Sequence, residues 1–140
     1  MKMSVLTRRW IDALRSGNYK QTSGCLKNDD GFCCLGVAAD VMAPSEWRKT
    51  VDSDGYYSFR KMGDVGLLKH DDFLRLVPNY VQDRLDFSIS ADDLAELNDS
   101  YDFTFPMIAD VVESWWSKNP LDPNDAHDRK TIQRKHGVIK

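Results

Sequence analysis

The chain has no apolar run approaching the roughly 18–20 residues a membrane-crossing helix needs, and this excludes a helical membrane span from the reading. Its first nine residues, Met1–Arg9, lack the apolar centre of a secretory signal, so a cytoplasmic protein is expected. Cysteine is scarce: there are three, and Cys33 and Cys34 are adjacent. An odd number with a vicinal pair makes a poor disulfide framework, and reduced thiols are the simpler expectation. No Gly-rich phosphate loop, Gly-x-Ser-x-Gly or His-Glu-x-x-His occurs, which removes the commonest nucleotide, hydrolase and metallopeptidase signatures. Asp52-Ser53-Asp54-Gly55 resembles the start of a calcium loop. The twelfth position is Gly63 where that loop needs glutamate, so calcium is rejected.

The 140 residues suit one domain, with 41% apolar and 29% charged residues. Net charge is only −3 but unevenly spread. Residues 1–20 carry five basic groups against Asp12 alone. Residues 85–117 carry eight acids (Asp86, Asp92, Asp93, Glu96, Asp99, Asp102, Asp110, Glu113) and no Lys or Arg, and residues 118–140 are again net basic. Two readings stay open. The acids pair with the chain's own basic ends or face water, or they form a surface that steers a basic partner.

Periodicity divides the chain. Leu6, Trp10, Ile11 and Leu14 recur at helical spacing, and Gly17 stops that helix. Asn28-Asp29-Asp30-Gly31 is a turn signal between segments 22–27 and 31–34, which predicts a β-hairpin. Phe32–Met42, the most apolar stretch, should open as strand and continue as helix from Leu35 until Pro44 intervenes. Gly36 within it predicts a close approach of another backbone. Trp47–Val51 and Tyr56–Phe59 flank Asp52–Gly55 and predict a second hairpin that extends the first into a small antiparallel sheet. A loop over 63–69, a helical turn near 71–76 and a short helix from Pro78 to Leu85 are expected next. Helices then follow from Ala91 to Leu97 and from Thr104, its N-cap, past Trp116. Residues 1–118 are assigned to a single globular α+β domain of about five helices packed on one or two small antiparallel hairpins. Its expected core is Leu6, Trp10, Leu14, Leu26, Cys33, Val37, Val41, Leu94, Leu97, Ile108, Val112 and Trp115. Residues 119–140 form a polar, basic tail, expected to dock loosely as a helix or to lie disordered.

Candidate chemistry is sparse. Cys25 with Cys33 or Cys34 falls short of the four ligands of a structural zinc site, and the histidines (His70, His127, His136) lie far off in sequence. Cys34 near a helix start could have a lowered thiol pKa and act as a nucleophile, given a base such as His70. The plainer reading makes the cysteines small buried apolar residues. No catalytic set, metal site or cofactor is assigned. The overall acidity, pI ≈ 5.5, argues against a dedicated nucleic-acid binder. The candidate binding residues are the acids Asp86, Asp92, Asp93, Glu96, Asp99 and Asp102 together with Trp47, Tyr56 and Tyr57 of the second hairpin. Because adjacent strand residues point to opposite faces, at least one of the two tyrosines is expected at the surface.

Certain residues carry a resemblance. Trp10-x-x-x-Leu14-Arg15-Ser16-Gly17-x-Tyr19-x-Gln21, then Leu26, then Phe32-Cys33-Cys34-Leu35-Gly36-Val37, and later Leu97-Asn98-Asp99 followed by Phe105-x-x-Ile108-Ala109-Asp110 resemble a set of small uncharacterised bacteriophage and prophage proteins. The similarity covers about residues 10–42 and 94–113. It implies an accessory protein made in the host bacterial cytoplasm, one that binds a host protein to redirect host machinery or block defence. A Cys34-dependent enzyme, a virion or assembly component and a small-nucleotide-sequestering protein are the alternatives.

Overall fold

Helix α1 (Val5–Arg15) opens at Ser4, whose hydroxyl accepts from the Thr7 amide at 3.1 Å, and stops before Gly17, which takes φ +78°. Its apolar stripe buries Trp10, Ile11 and Leu14, with Thr7 beside them. The computed structural model describes residues 3–23, 25–42, 44–49, 56–59 and 91–138. The expected turn at 52–55, loop at 63–69, helical segments near 71–76 and 78–85, and Asp86 lie outside these residues.

The first hairpin is shorter than expected: β1 (Lys27–Asn28) pairs with β2 (Gly31–Phe32) across a two-residue turn. The Asn28 side-chain oxygen accepts from the amides of Asp30 and Gly31, which locks that turn. Residues 20–22 do not continue β1. They run along the other edge of Phe32, with Thr22 N to Phe32 O at 2.7 Å and Phe32 N to Lys20 O at 2.8 Å. Cys33 is the last extended residue, and α2 (Cys34–Met42) starts at once. A single 3₁₀ turn (Pro44–Glu46) leads to β3 (Trp47–Lys49), which pairs with β4 (Tyr56–Phe59). β4 also pairs with β1, so the two hairpins form one antiparallel sheet of order β2-β1-β4-β3.

Three further helices complete the described chain: α3 (Ala91–Asp99), α4 (Phe105–Ser114) and α5 (Ala126–Lys135). The architecture is the expected α+β one, with five α-helices and a four-stranded sheet among the described residues. The core lies where α1 packs on α2 and α4 and α2 packs on α3. Trp10, Leu14, Leu26, Cys33, Val37, Leu94, Leu97, Ile108 and Val112 are buried in it as expected, whereas Leu6, Val41 and Trp115 sit at its margin. Phe103, Phe105, Met107 and Ile132 are buried additions.

Two helix starts are capped from far away. The first amide of α2, Cys34 N, donates to Asn98 Oδ1 at 3.3 Å. The first amide of α4, Phe105 N, donates to Gln21 Oε1 at 3.1 Å, and the expected cap, Thr104, makes no side-chain bond. Gln21 Nε2 also donates to Asn98 Oδ1 and to Phe103 O, while Asn98 Nδ2 donates to Thr22 O and Asp99 Oδ1. Two amide side chains thus fasten the starts of α2 and α4, the loop before α4 and segment 20–22 to one another. Trp10 adds a bond from its indole N–H to Cys34 O at 3.0 Å. The residues that carried the resemblance are therefore largely the joints between the helices.

Candidate functional site

Asp40, on the outer side of α2, is half-buried and holds two aromatic side chains. Tyr19 Oη donates to Asp40 Oδ2 at 2.6 Å, and Trp47 Nε1 donates to Asp40 Oδ1 at 3.0 Å. Burial pushes the Tyr19 hydroxyl up to about 12, with the bond to Asp40 acting in the same direction, so it stays protonated and donating. Phe32 lies between the two. It meets Tyr19 edge-on with centroids 5.1 Å apart and Trp47 at 6.0 Å. Lys27 Nζ lies over both Phe32 and Trp47, at 5.0 and 5.2 Å from their centroids. All four side chains are half-buried. Tyr19, Phe32 and Trp47 with Lys27 therefore make a fixed aromatic face with one cation.

Trp47 lies in an aromatic cluster, in company the sequence did not suggest. Tyr56 and Tyr57 lie on β4, where Tyr56 is in register with Asn28, and Tyr57 is in register with both Lys27 and Lys49. Lys27, Phe32, Tyr19 and Asp40 were missed. Their only signal in the chain was that Tyr19 and Phe32 stand in the stretches that carried the resemblance, since the contacts cross from residue 19 to 47.

The acidic stretch does not form one surface. Asp92 falls in the first turn of α3, Asp93 is half-buried, and Glu96, Asp99 and Asp102 are exposed. Asp99 accepts from the Asn98 amide, and Asp102 takes φ +55°. A crevice of about 420 Å³ borders Asp102, between Gln21, Thr22, Asn98 and Phe103. The Gln21 and Asn98 amides beside it are already occupied by the bonds given above.

Asp110 and Glu113 turn instead to the chain's own basic ends. Arg15 bonds Asp110 at 2.7 Å and Glu113 at 3.0 Å, and Arg8 bonds Glu113 at 2.9 Å. From the other side Lys135 and His136 both reach Asp110 Oδ2, at 2.9 and 2.7 Å. Burial tends to raise the Asp110 carboxyl. Bonds from His136, Arg15 and Lys135 outweigh it and bring the group from 3.8 to about 2. The Arg15 bond, against desolvation, brings Glu113 from 4.5 to about 2. Both values lie below those of the unfolded chain, so this stabilisation is complete above about pH 5 and is lost as pH falls through about 4 toward 2. With Glu113 half-exposed, solvent screening limits the pair to about 1–2 kcal/mol. Urea unfolding at pH 7 and pH 3 should show a loss of about half that size, and Arg15→Gln should reduce it. An equal loss in both proteins would contradict this assignment.

The cysteines are three buried free thiols. Cys34 is fully buried, its Sγ directed at Leu94 O at 3.5 Å, and burial pushes the thiol well above its usual value. Burial likewise pushes Cys33 up to about 12, against the opposing amide of Gly36. Desolvation thus overrides the expected helix-start effect, and Cys34 lacks the character of an activated nucleophile. In the native protein all three thiols should react with a disulfide reagent about 100–1,000-fold more slowly than in urea. One thiol reacting at the unfolded rate before any loss of helical signal would contradict this. Among the described residues no three His, Cys, Asp or Glu side chains converge as a metal site, and no helix is long and apolar enough to cross a membrane.

A family model described as Domain of unknown function (DUF8296) matches residues 1–116, which spans α1 through α4. No curated protein and no solved structure matches the chain.

Proposed function

The chain belongs to that family of unknown function, and from this premise we propose that it is a non-enzymatic accessory protein of bacteriophage type that binds a protein of its bacterial host, in the host cytoplasm. The observation that supports this reading is the aromatic face of Trp47, Phe32 and Tyr19 under Lys27. Aromatic side chains have two rotatable bonds, and here Asp40 already fixes the outer two. Little conformational freedom is left to lose on binding, which is the property of interface residues that dominate affinity. Lys27, held over Phe32 and Trp47, places positive charge at the edge of the apolar contact.

A second reading has its own observation. Glu96 and Asp102 are exposed and form no ion pair among the described residues, so a basic partner surface could meet them. Quantitative capture of host protein from bacterial lysate separates the two. Lys27→Glu should reduce retention of the specific partner at least about tenfold, and Glu96→Lys with Asp102→Lys should leave it within about twofold. The reverse pattern would move the interface to the acidic side. No loss in either variant would end the binding proposal in both forms.

A further inference from the structure

Helix α5 lies beyond residues 1–116, the span matched by the family model, and it is attached unlike the other helices. Its own sequence favours helix at both ends. Asp125 caps it with bonds to the amides of His127 and Asp128, an acid sits in its first turn, and Arg134 and Lys135 sit in its last. Yet only Ile132 of its ten residues is buried. The rest of its hold on α4 is polar: Lys135 pairs with one oxygen of Asp110, and His136, just past the last turn, bonds the same oxygen. Between the two helices remains a crevice of about 330 Å³, bordered by Asp110, Ser114, Leu121, Thr131, Ile132 and Lys135. Arg129 stacks on Tyr101 at 4.0 Å and donates to the carbonyl of buried Pro123, and Leu121 is tied to the end of α4 by bonds with Trp115 Nε1 and Ser114 Oγ, so the connection before α5 is held more firmly than the helix itself. Exposed ion pairs add little to stability, so one apolar side chain carries most of the attachment.

We propose that α5 is a displaceable occupant of a helix-binding groove on α4, and that the groove receives a partner helix with an aliphatic residue followed, three and four positions later, by a cation and a second side chain that bonds a carboxylate. Ile132, Lys135 and His136 are that pattern in cis. Positions three and four apart share one helix face, so an aliphatic side chain entering the groove brings both polar partners to Asp110. Arg15 holds the other oxygen of Asp110, so the carboxylate is also oriented from the α1 side, independently of α5. The other acid of the groove, Glu113, is held by Arg8 and Arg15 of α1, so the acidic wall of the groove is built by the part of the chain that matches the family. None of these residues belongs to the aromatic face, so either proposal can fail without the other.

The probe is a fluorescent peptide of residues 122–138, titrated by anisotropy into full-length proteins. It should bind the Ile132→Asp protein, whose own helix is expelled, at least about tenfold more tightly than the wild type, whose groove is filled. Adding Asp110→Asn to Ile132→Asp should remove at least about tenfold of that affinity. Equal binding to wild type and Ile132→Asp, or none to an Ile132→Asp protein whose α1 and α4 amides remain protected, would overturn the proposal. Hydrogen exchange of the wild type gives an independent test. Amides of 126–136 should exchange at least about tenfold faster than those of α1 and α4. Exchange in step with those helices would show α5 to be a fixed part of the fold.

Discussion

Asn98→Ala is expected to destabilise the protein by about 3–5 kcal/mol, read as a lower midpoint in urea unfolding. Asn98 is 5% exposed, and its amide takes part in bonds to Cys34 N, Gln21, Thr22 O and Asp99. Alanine leaves the buried Cys34 amide at the start of α2 without its acceptor and Thr22 O without its donor. A buried group stranded in this way costs about 1–3 kcal/mol. Gln21 loses one of its three partners as well, which loosens the cap on α4. Asn98→Asp is close in shape but cannot donate to Thr22 O and introduces a buried charge, so it should destabilise comparably. A loss below about 1 kcal/mol for the alanine variant would mean that the stranded groups find other partners.

Gly36→Ala should be nearly as damaging, at about 3 kcal/mol, although alanine favours helix over glycine. A Cβ at residue 36 would collide with the carbonyl oxygen of Leu26 and lie 2.8 Å from its carbonyl carbon. Both obstacles are backbone, and the Leu26 carbonyl is held in place by the Cys33 amide at 2.9 Å. The helix must move away from the hairpin, opening the packing around Leu26 and Leu35, which are both fully buried. Gly17→Ala is the useful contrast. Nothing lies within 4 Å of a Cβ there, and only the positive φ opposes the change, so about 1 kcal/mol is expected. Thermal unfolding of the two variants should rank them in that order. A Gly36→Ala protein as stable as Gly17→Ala would contradict the close approach.

The parts of the fold that were legible from sequence are those encoded within a few residues. The stripe of α1 and its stop at Gly17 are local periodicity and local backbone preference. The turn at Asp29 and Asp30 is an Asn side chain bonding its own backbone, and Gly36 announced a close approach because a glycine has little other reason to sit in an apolar helix. The caps on α2 and α4 were not legible. Asn98 and Cys34 are 64 residues apart and Gln21 and Phe105 are 84, and no spacing rule connects them. Local capping rules pointed to Thr104 and missed Gln21 for that reason. The acidic stretch divided for a related cause. Asp110 and Glu113 lie on the side of α4 that faces Arg15, while Glu96 and Asp102 stay at the surface, and composition averages over faces. The aromatic site was half legible. Trp47 stood out as a large residue in a short strand, but the group that fixes it, Asp40, reads in sequence only as a charge in a helix.

The most direct measurement is native mass spectrometry of the full chain purified gently from a bacterial cytoplasm, beside the Lys27→Glu protein and the denatured mass. The account predicts a complex of the chain with a host protein that is depleted in Lys27→Glu, with no added mass on the uncomplexed chain. A bound zinc ion or nucleotide in place of a protein, or a host complex equally abundant with Lys27→Glu, would contradict it.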